Sequence, residues 1–147
     1  MQKLLATPSV LSAKFTTMVL SISYPIVASL STSNKMNDYP DRMTPEQART
    51  FRNDVLNIVS QIPSGCVTTY GHIAALAGWP SYSRMVGRTL RYTPGAELLP
   101  CHRVVNNAGR TAPGWSHQRP LLEAEGVTFK ANGHVDMKVH LWEPDIE

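Results

Sequence analysis

Pro100-Cys101-His102-Arg103-Val104-Val105 sets a thiol, an imidazole and a guanidinium on three successive residues, between apolar pairs on either side. A cysteine acts as a nucleophile only as thiolate, which nearby positive charge or a general base favours. Pro100 restricts the backbone just before the thiol. His102 is adjacent to Cys101 in sequence, which leaves the direction of its ring open; it can still reach the thiol through a water. A carboxylate behind that ring would hold its tautomer and stabilise imidazolium. Glu125 is the acid expected there, because it ends a short apolar helix and can point inward; Glu123, two residues earlier, should face elsewhere. Residue types alone leave three roles open for Cys101: a reactive thiol, a small buried hydrophobe, or a regulatory thiol.

The other cysteine, Cys66, makes no disulfide framework with Cys101 and no metal-ligand spacing. The five histidines (72, 102, 117, 134 and 140) do not fall at zinc-ligand spacing with either thiol, so no metal site is expected. A reducing compartment is the default for such a chain. A length of 147 residues allows one domain, or one domain with an arm, and 42% apolar residues suffice for one modest core. The net charge of +3 is small, but it is unevenly spread. Residues 84–119 hold six arginines against one acid, and residues 120–147 hold two lysines against six acids. A basic middle and an acidic tail suit one face meeting a polyanion.

Several elements must position this chemistry. Residues 1–35 are rich in Ser, Thr and Ala, hold three lysines and no acid, and carry an apolar patch from Met18 to Leu30. That patch is too short for a membrane span. The segment reads as a disordered leader or a start placed too early, followed by a polar linker from Asn37 to Met43. The working domain is expected over 44–147. Thr44-Pro45-Glu46-Gln47 has the form of a capping box, and Phe51, Val55, Ile58, Val59 and Ile62 recur at helical spacing as far as Pro63. Thr68 or Thr69 should cap a short helix holding Ile73, Ala74 and Leu76, with Gly78 ending it.

Trp79-Pro80 turns the chain. Ser81 should cap a second helix from about Tyr82 to Arg91, whose Met85, Val86 and Leu90 face the core. Arg84, Arg88 and Arg91 share another face. Two short helices at a sharp turn have the form of a helix-turn-helix, and aligned arginines suit nucleic-acid contact. Arg103 is grouped with these DNA-facing cations. Thr93-Pro94-Gly95 breaks the helix. Asn106 to Trp115 reads as a loop, and Pro120 as the opening of a helix stopped by Gly126. Val127-Thr128-Phe129 and residues 135–139 read as short strands, with Trp142 anchoring the tail. The sequence has no repeats, phosphate loop or dinucleotide fingerprint.

From Phe51 to Gly126 the chain resembles the O6-alkylguanine-DNA alkyltransferases. Pro100-Cys101-His102-Arg103-Val104-Val105 is similar to their acceptor-cysteine motif. Thr69-Tyr70-Gly71-His72-Ile73-Ala74 and Ser83-Arg84-Met85-Val86-Gly87 resemble their helix-turn-helix, and Leu121-Leu122-Glu123-Ala124-Glu125-Gly126 resembles their terminal signature. The resemblance implies a mainly α fold: a winged-helix-like alkyltransferase DNA-binding domain with a helix-turn-helix and short C-terminal strands. It implies binding of double-stranded DNA from the minor groove and flipping of an O6-alkylguanine, with Arg84 as the wedge and Tyr70 helping to rotate the nucleotide. Cys101 would then take the alkyl group irreversibly, with His102 as base through water and Glu125 behind it. No cofactor is implied.

Thr93 stands where the family usually has a hinge asparagine, and Trp115 stands near an expected pocket tyrosine. Between Met36 and Phe51 there is no room for the family's separate amino-terminal domain. That short outline, together with Val139 to Pro144, resembles the alkyltransferase-like proteins. Those bind alkylated guanine without an acceptor cysteine. The alternative function is therefore a non-catalytic lesion binder that signals to excision-repair proteins. Either way the chain is expected to be monomeric, away from membranes, and cytoplasmic or, in a eukaryote, nuclear.

Overall fold

The computed structural model describes residues 43–145. The expected leader and most of the linker lie outside them. Met43, read as the last linker residue, is instead buried against the core.

Helix α1, Pro45–Ser60, opens with the capping box in full. Thr44 Oγ1 accepts from Gln47 N at 3.2 Å, and Gln47 Oε1 accepts from Thr44 N at 2.9 Å. Both otherwise lack an intrahelical partner at a helix start. The helix ends at Ser60, and Ile62 continues its buried face in the turn before Pro63. Phe51, Val55, Val59 and Ile62 pack with Ile73, Ala74, Val86 and Val104 in the first core cluster. Leu56, on a neighbouring stripe, packs instead with Ala96.

Strand β1, Thr68–Thr69, pairs in parallel with β2, Val104–Val105, in the register Thr68 to Val104 and Thr69 to Val105. Alternation along β2 divides the core: Val104 enters the first cluster, and Val105 joins Val67, Leu122, Val127 and Val135 in the second. This pairing brings the Cys101 segment beside the start of the next helix. Helix α2, Tyr70–Leu76, is capped by Thr69, whose side chain accepts from His72 N at 3.1 Å. Trp79 packs edge-on to Tyr82, 5.2 Å between ring centroids, in the turn leading to α3, Ser83–Tyr92. The expected Ser81 cap is absent: α3 starts at Ser83, its cap position is Tyr82, and no side chain caps it. The Tyr82 ring is held by Trp79 and Phe51, so packing places this helix start where a local cap does not.

Helix α4, Gln118–Ala124, begins two residues before Pro120. A proline in the first turn removes an N–H that has no intrahelical acceptor there, so it is tolerated. The end is a Schellman turn: Gly126 N donates to Glu123 O and Val127 N to Leu122 O, both at 3.0 Å, with Gly126 at φ +85°. The two expected C-terminal strands are reduced to one antiparallel bridge, Phe129 with Val135. Residues 137–139, part of the segment 135–139 read as strand, lie instead in helix α5, Met137–His140, because the Asp136 side chain accepts from Lys138 N and caps a helical turn. Beyond it, Leu141 bridges Val67, and Trp142 N donates to Val67 O at 2.7 Å. Trp142 packs on the first cluster.

Candidate active site and nucleic-acid interface

Two tight turns aim the Cys101 thiol. Thr93-Pro94-Gly95-Ala96 closes with Ala96 N donating to Thr93 O at 3.1 Å, and Gly95 lies at φ +85°, the glycine position of a type II turn. Thr93 itself is buried and donates its N–H to Thr89 O, so the expected hinge residue ties the end of α3 to this turn. Pro100, at φ −74° and ψ 54°, centres an inverse γ-turn in which Cys101 N donates to Leu99 O at 2.7 Å. A 3₁₀ turn, Cys101–Arg103, follows and runs into β2. The thiol is thereby directed back to Ala96, whose carbonyl accepts from Sγ at 3.1 Å.

Burial, helped by the negative charge of Glu97 and opposed by a backbone hydrogen bond, pushes the Cys101 thiol up to about 11. The neutral thiol is therefore the folded-state form. Its contribution to stability is full below the ordinary thiol value near 9 and is lost as pH rises through about 11. Alkylation of Cys101 by iodoacetamide should accelerate about tenfold per pH unit from neutrality towards that value. Peptide mapping of timed reactions measures this, and a plateau near pH 8 would contradict it.

His102 Nε2 lies 2.7 Å from Glu125 Oε1, and both side chains are 16% exposed. A carboxylate only accepts, so Nε2 carries the proton and a neutral His102 has its lone pair on Nδ1. Arg103 is the correction to the expected DNA contacts. Its Nη2 donates to Glu125 Oε1 at 2.6 Å, its Nε to Oε2 at 2.9 Å, and its Nη1 to Ile62 O at 2.6 Å. The guanidinium is consumed inside the fold by a two-pronged carboxylate bond and the carbonyl that follows α1. Burial raises the Glu125 carboxyl, but Arg103, His102 and the Gly65 N–H outweigh it and hold the group at about 2. Glu125 thus stays an anion across the neutral range.

The remaining predicted residues lie on the helix-turn-helix and the following loop. Tyr70, half-buried at the start of α2, has its ring over Gly87, where an added Cβ would stand 3.7 Å from Cε1. Burial, then neighbouring Cys101, raises its hydroxyl above the ordinary value. Arg84 and Arg91 are exposed on α3, and Arg88 is half-buried. The Arg91 guanidinium sits 5.6 Å from the centroid of Tyr92. Trp115 is 37% exposed on the loop between β2 and α4.

Gln118 was not singled out by sequence, yet it is fully buried and joins these parts. Its Oε1 accepts from Ala112 N at 2.6 Å, and its Nε2 donates to His102 O at 3.0 Å and Val104 O at 2.8 Å. It ties the backbone beside Cys101 to the loop that carries Trp115. A glutamine in the polar run 116–119 has no periodicity that would mark it.

The chain belongs to the family of the 6-O-methylguanine DNA methyltransferase DNA binding domain, which matches residues 50–127. It is 40% identical over 112 residues to an Escherichia coli protein called DNA base-flipping protein, covering 71% of this chain and 87% of that one. A methylated-DNA–protein-cysteine methyltransferase of Methanosarcina acetivorans is 34% identical over 97 residues, covering 64% of this chain and 62% of that one. The crystal structure of Schizosaccharomyces pombe Atl1 with damaged DNA containing O6-carboxymethylguanine superposes with a TM-score of 0.57 at 32% identity. That match covers 65% of this chain and 97% of Atl1.

Proposed function

We propose that the chain binds duplex DNA containing O6-alkylguanine and takes the alkyl group onto Cys101 in a single, irreversible reaction. The observation that carries this reading is a thiol followed directly by an imidazole whose far nitrogen is held on a charged carboxylate at 2.7 Å. The helix-turn-helix would bind the minor groove, with exposed Arg84 as the wedge and Tyr70 beside the thiol pocket. His102 Nδ1, through a water, accepts the thiol proton. The thiolate sulfur then attacks the alkyl carbon, the carbon–O6 bond breaks, and its electron pair leaves with guanine, which takes up a proton. Glu125 stabilises the imidazolium without being protonated itself. A thiol near 11 is thiolate in on the order of one molecule in ten thousand at neutral pH, so removal of its proton must be coupled to the reaction.

That buried, neutral thiol is also the observation favouring a second reading, a lesion binder in which Cys101 stays silent. The names of the E. coli and S. pombe relatives agree with it. One experiment separates the two. The protein is incubated with a duplex holding one O6-methylguanine, and its intact mass and its retention on the duplex are measured. The expected result is a gain of one methyl group, lost in Cys101→Ser. Tight, lesion-selective binding without a mass change establishes the second reading instead.

A further inference from the structure

His140, in α5, makes bonds that define its proton. Its Nε2 lies 3.0 Å from Thr128 N, a group that can only donate, and 2.9 Å from Thr128 Oγ1. Its Nδ1 lies 2.9 Å from Gly65 O, a group that can only accept. Nδ1 therefore bears the hydrogen, and Nε2 is the acceptor. The ring is also held through its own backbone, since His140 O accepts from Val67 N at 2.8 Å. On its other side Gly65 donates its N–H to Glu125 Oε2 at 3.3 Å. Gly65 sits at φ +80°, and a Cβ there would stand 3.2 Å from Glu125 O, so this turn lies directly against the end of α4. Hydrogen bonds thus link Thr128 to His140 and His140 to the Gly65 carbonyl, and, across the Gly65 Cα, the Gly65 N–H to Glu125 and Glu125 to His102.

From this geometry we infer that His140 is a positioning residue: by holding the Gly65 carbonyl, which lies in the peptide after Gly65, it anchors the turn whose preceding peptide N–H donates to Glu125 Oε2, the oxygen that His102 does not use. It links the C-terminal segment to the proposed reaction centre. The inference rests on the reading of Glu125 as the group behind His102. Arg103 supplies the charge that keeps Glu125 anionic and bonds both of its oxygens, Nε to Oε2 and Nη2 to Oε1; the Gly65 N–H is a second donor on Oε2, from the opposite end of the chain of contacts that starts at His140.

The test uses the free full-length protein, so it does not depend on alkyl transfer. Nitrogen-15 spectra of His140 are expected to show a neutral ring protonated at Nδ1. The Glu125 side-chain carboxyl signal, followed against pH, should titrate at a higher pH in His140→Phe than in wild type. His140→Gln should return it to the wild-type position, because the oxygen and nitrogen of a carboxamide flank one carbon as the ring nitrogens do. Where transfer is observed, His140→Phe should slow it about fivefold, the effect of one hydrogen bond, with rescue by His140→Gln. A His140 ring protonated at Nε2, or a Glu125 titration identical in all three proteins, overturns the proposal. Should His140→Phe not fold, His140→Ala takes its place: a Glu125 titration displaced upward supports the proposal, and one identical to wild type overturns it. Normal carboxyl behaviour with no methyl gain in wild type leaves the positioning role standing and removes the acceptor reading.

Discussion

Glu125→Gln is expected to slow the proposed methyl transfer to Cys101 about a hundredfold or more and to destabilise the fold by about 3 kcal/mol. The amide can still accept from His102 Nε2, so the ring keeps a partner. It carries no charge, so the imidazolium that must form loses its stabilisation. Arg103 loses more. Its guanidinium is 16% exposed and is matched by this one carboxylate, apart from the bond to Ile62 O. Removing one member of a mostly buried ion pair leaves the other uncompensated, which is why the stability loss exceeds that of an ordinary hydrogen bond. The two effects are separable. Arg103→Met combined with Glu125→Leu removes both charges and should recover much of the stability while leaving transfer slow. Urea denaturation gives the first quantity, and quenched mass spectrometry on methylated duplex gives the second. Wild-type transfer by Glu125→Gln would show that the carboxylate serves only the fold.

This network explains why parts of the site were legible in the sequence and parts were not. Local signals act within about five residues. The capping box at Thr44 and Gln47, the Thr69 cap, the Gly126 stop and the stripe of Phe51, Val55 and Val59 are all of that kind. Glu125 was distinguishable from Glu123 because two positions on a short helix point apart, and Glu123 pairs outward with Arg119 at 2.9 Å. The partner of Arg103 lies 22 residues away at Glu125 and 41 away at Ile62, and no spacing rule connects them. A cation next to Cys101 therefore read as a DNA contact. The alternating pattern of residues 135–139 suggested a strand, but the Asp136 side chain caps a helical turn and overrides alternation. His140 reaches Gly65 over 75 residues and was equally invisible to local reading.

Gln118 shows the same limit, and it yields the second large expected effect. Gln118→Leu should cost about 3 kcal/mol, seen as a fall in Tm of roughly 15 °C for a domain of this size. Leucine fills similar volume, so packing changes little. The loss comes from three backbone groups: Ala112 N, His102 O and Val104 O all lose their bonds to this side chain. Val104 is fully buried, so no solvent reaches its carbonyl without opening β2 from β1. Each orphaned group costs on the order of 1–3 kcal/mol, partly relieved for Ala112, which is incompletely buried. Gln118→Glu should do no better, because a carboxylate cannot donate to the two carbonyls and carries a charge into an apolar site. By contrast Arg119→Ala, one position on and half-exposed, should cost about 1 kcal/mol or less, from its exposed bond to Glu123 and its guanidinium 4.5 Å over the Phe129 ring. Calorimetry on these three variants reads the differences directly. Because His102 and the Trp115 loop hang from the same amide, transfer should fall in Gln118→Leu even at temperatures where the domain is fully folded. Unchanged transfer in that folded variant would mean that the thiol segment is held by β2 alone.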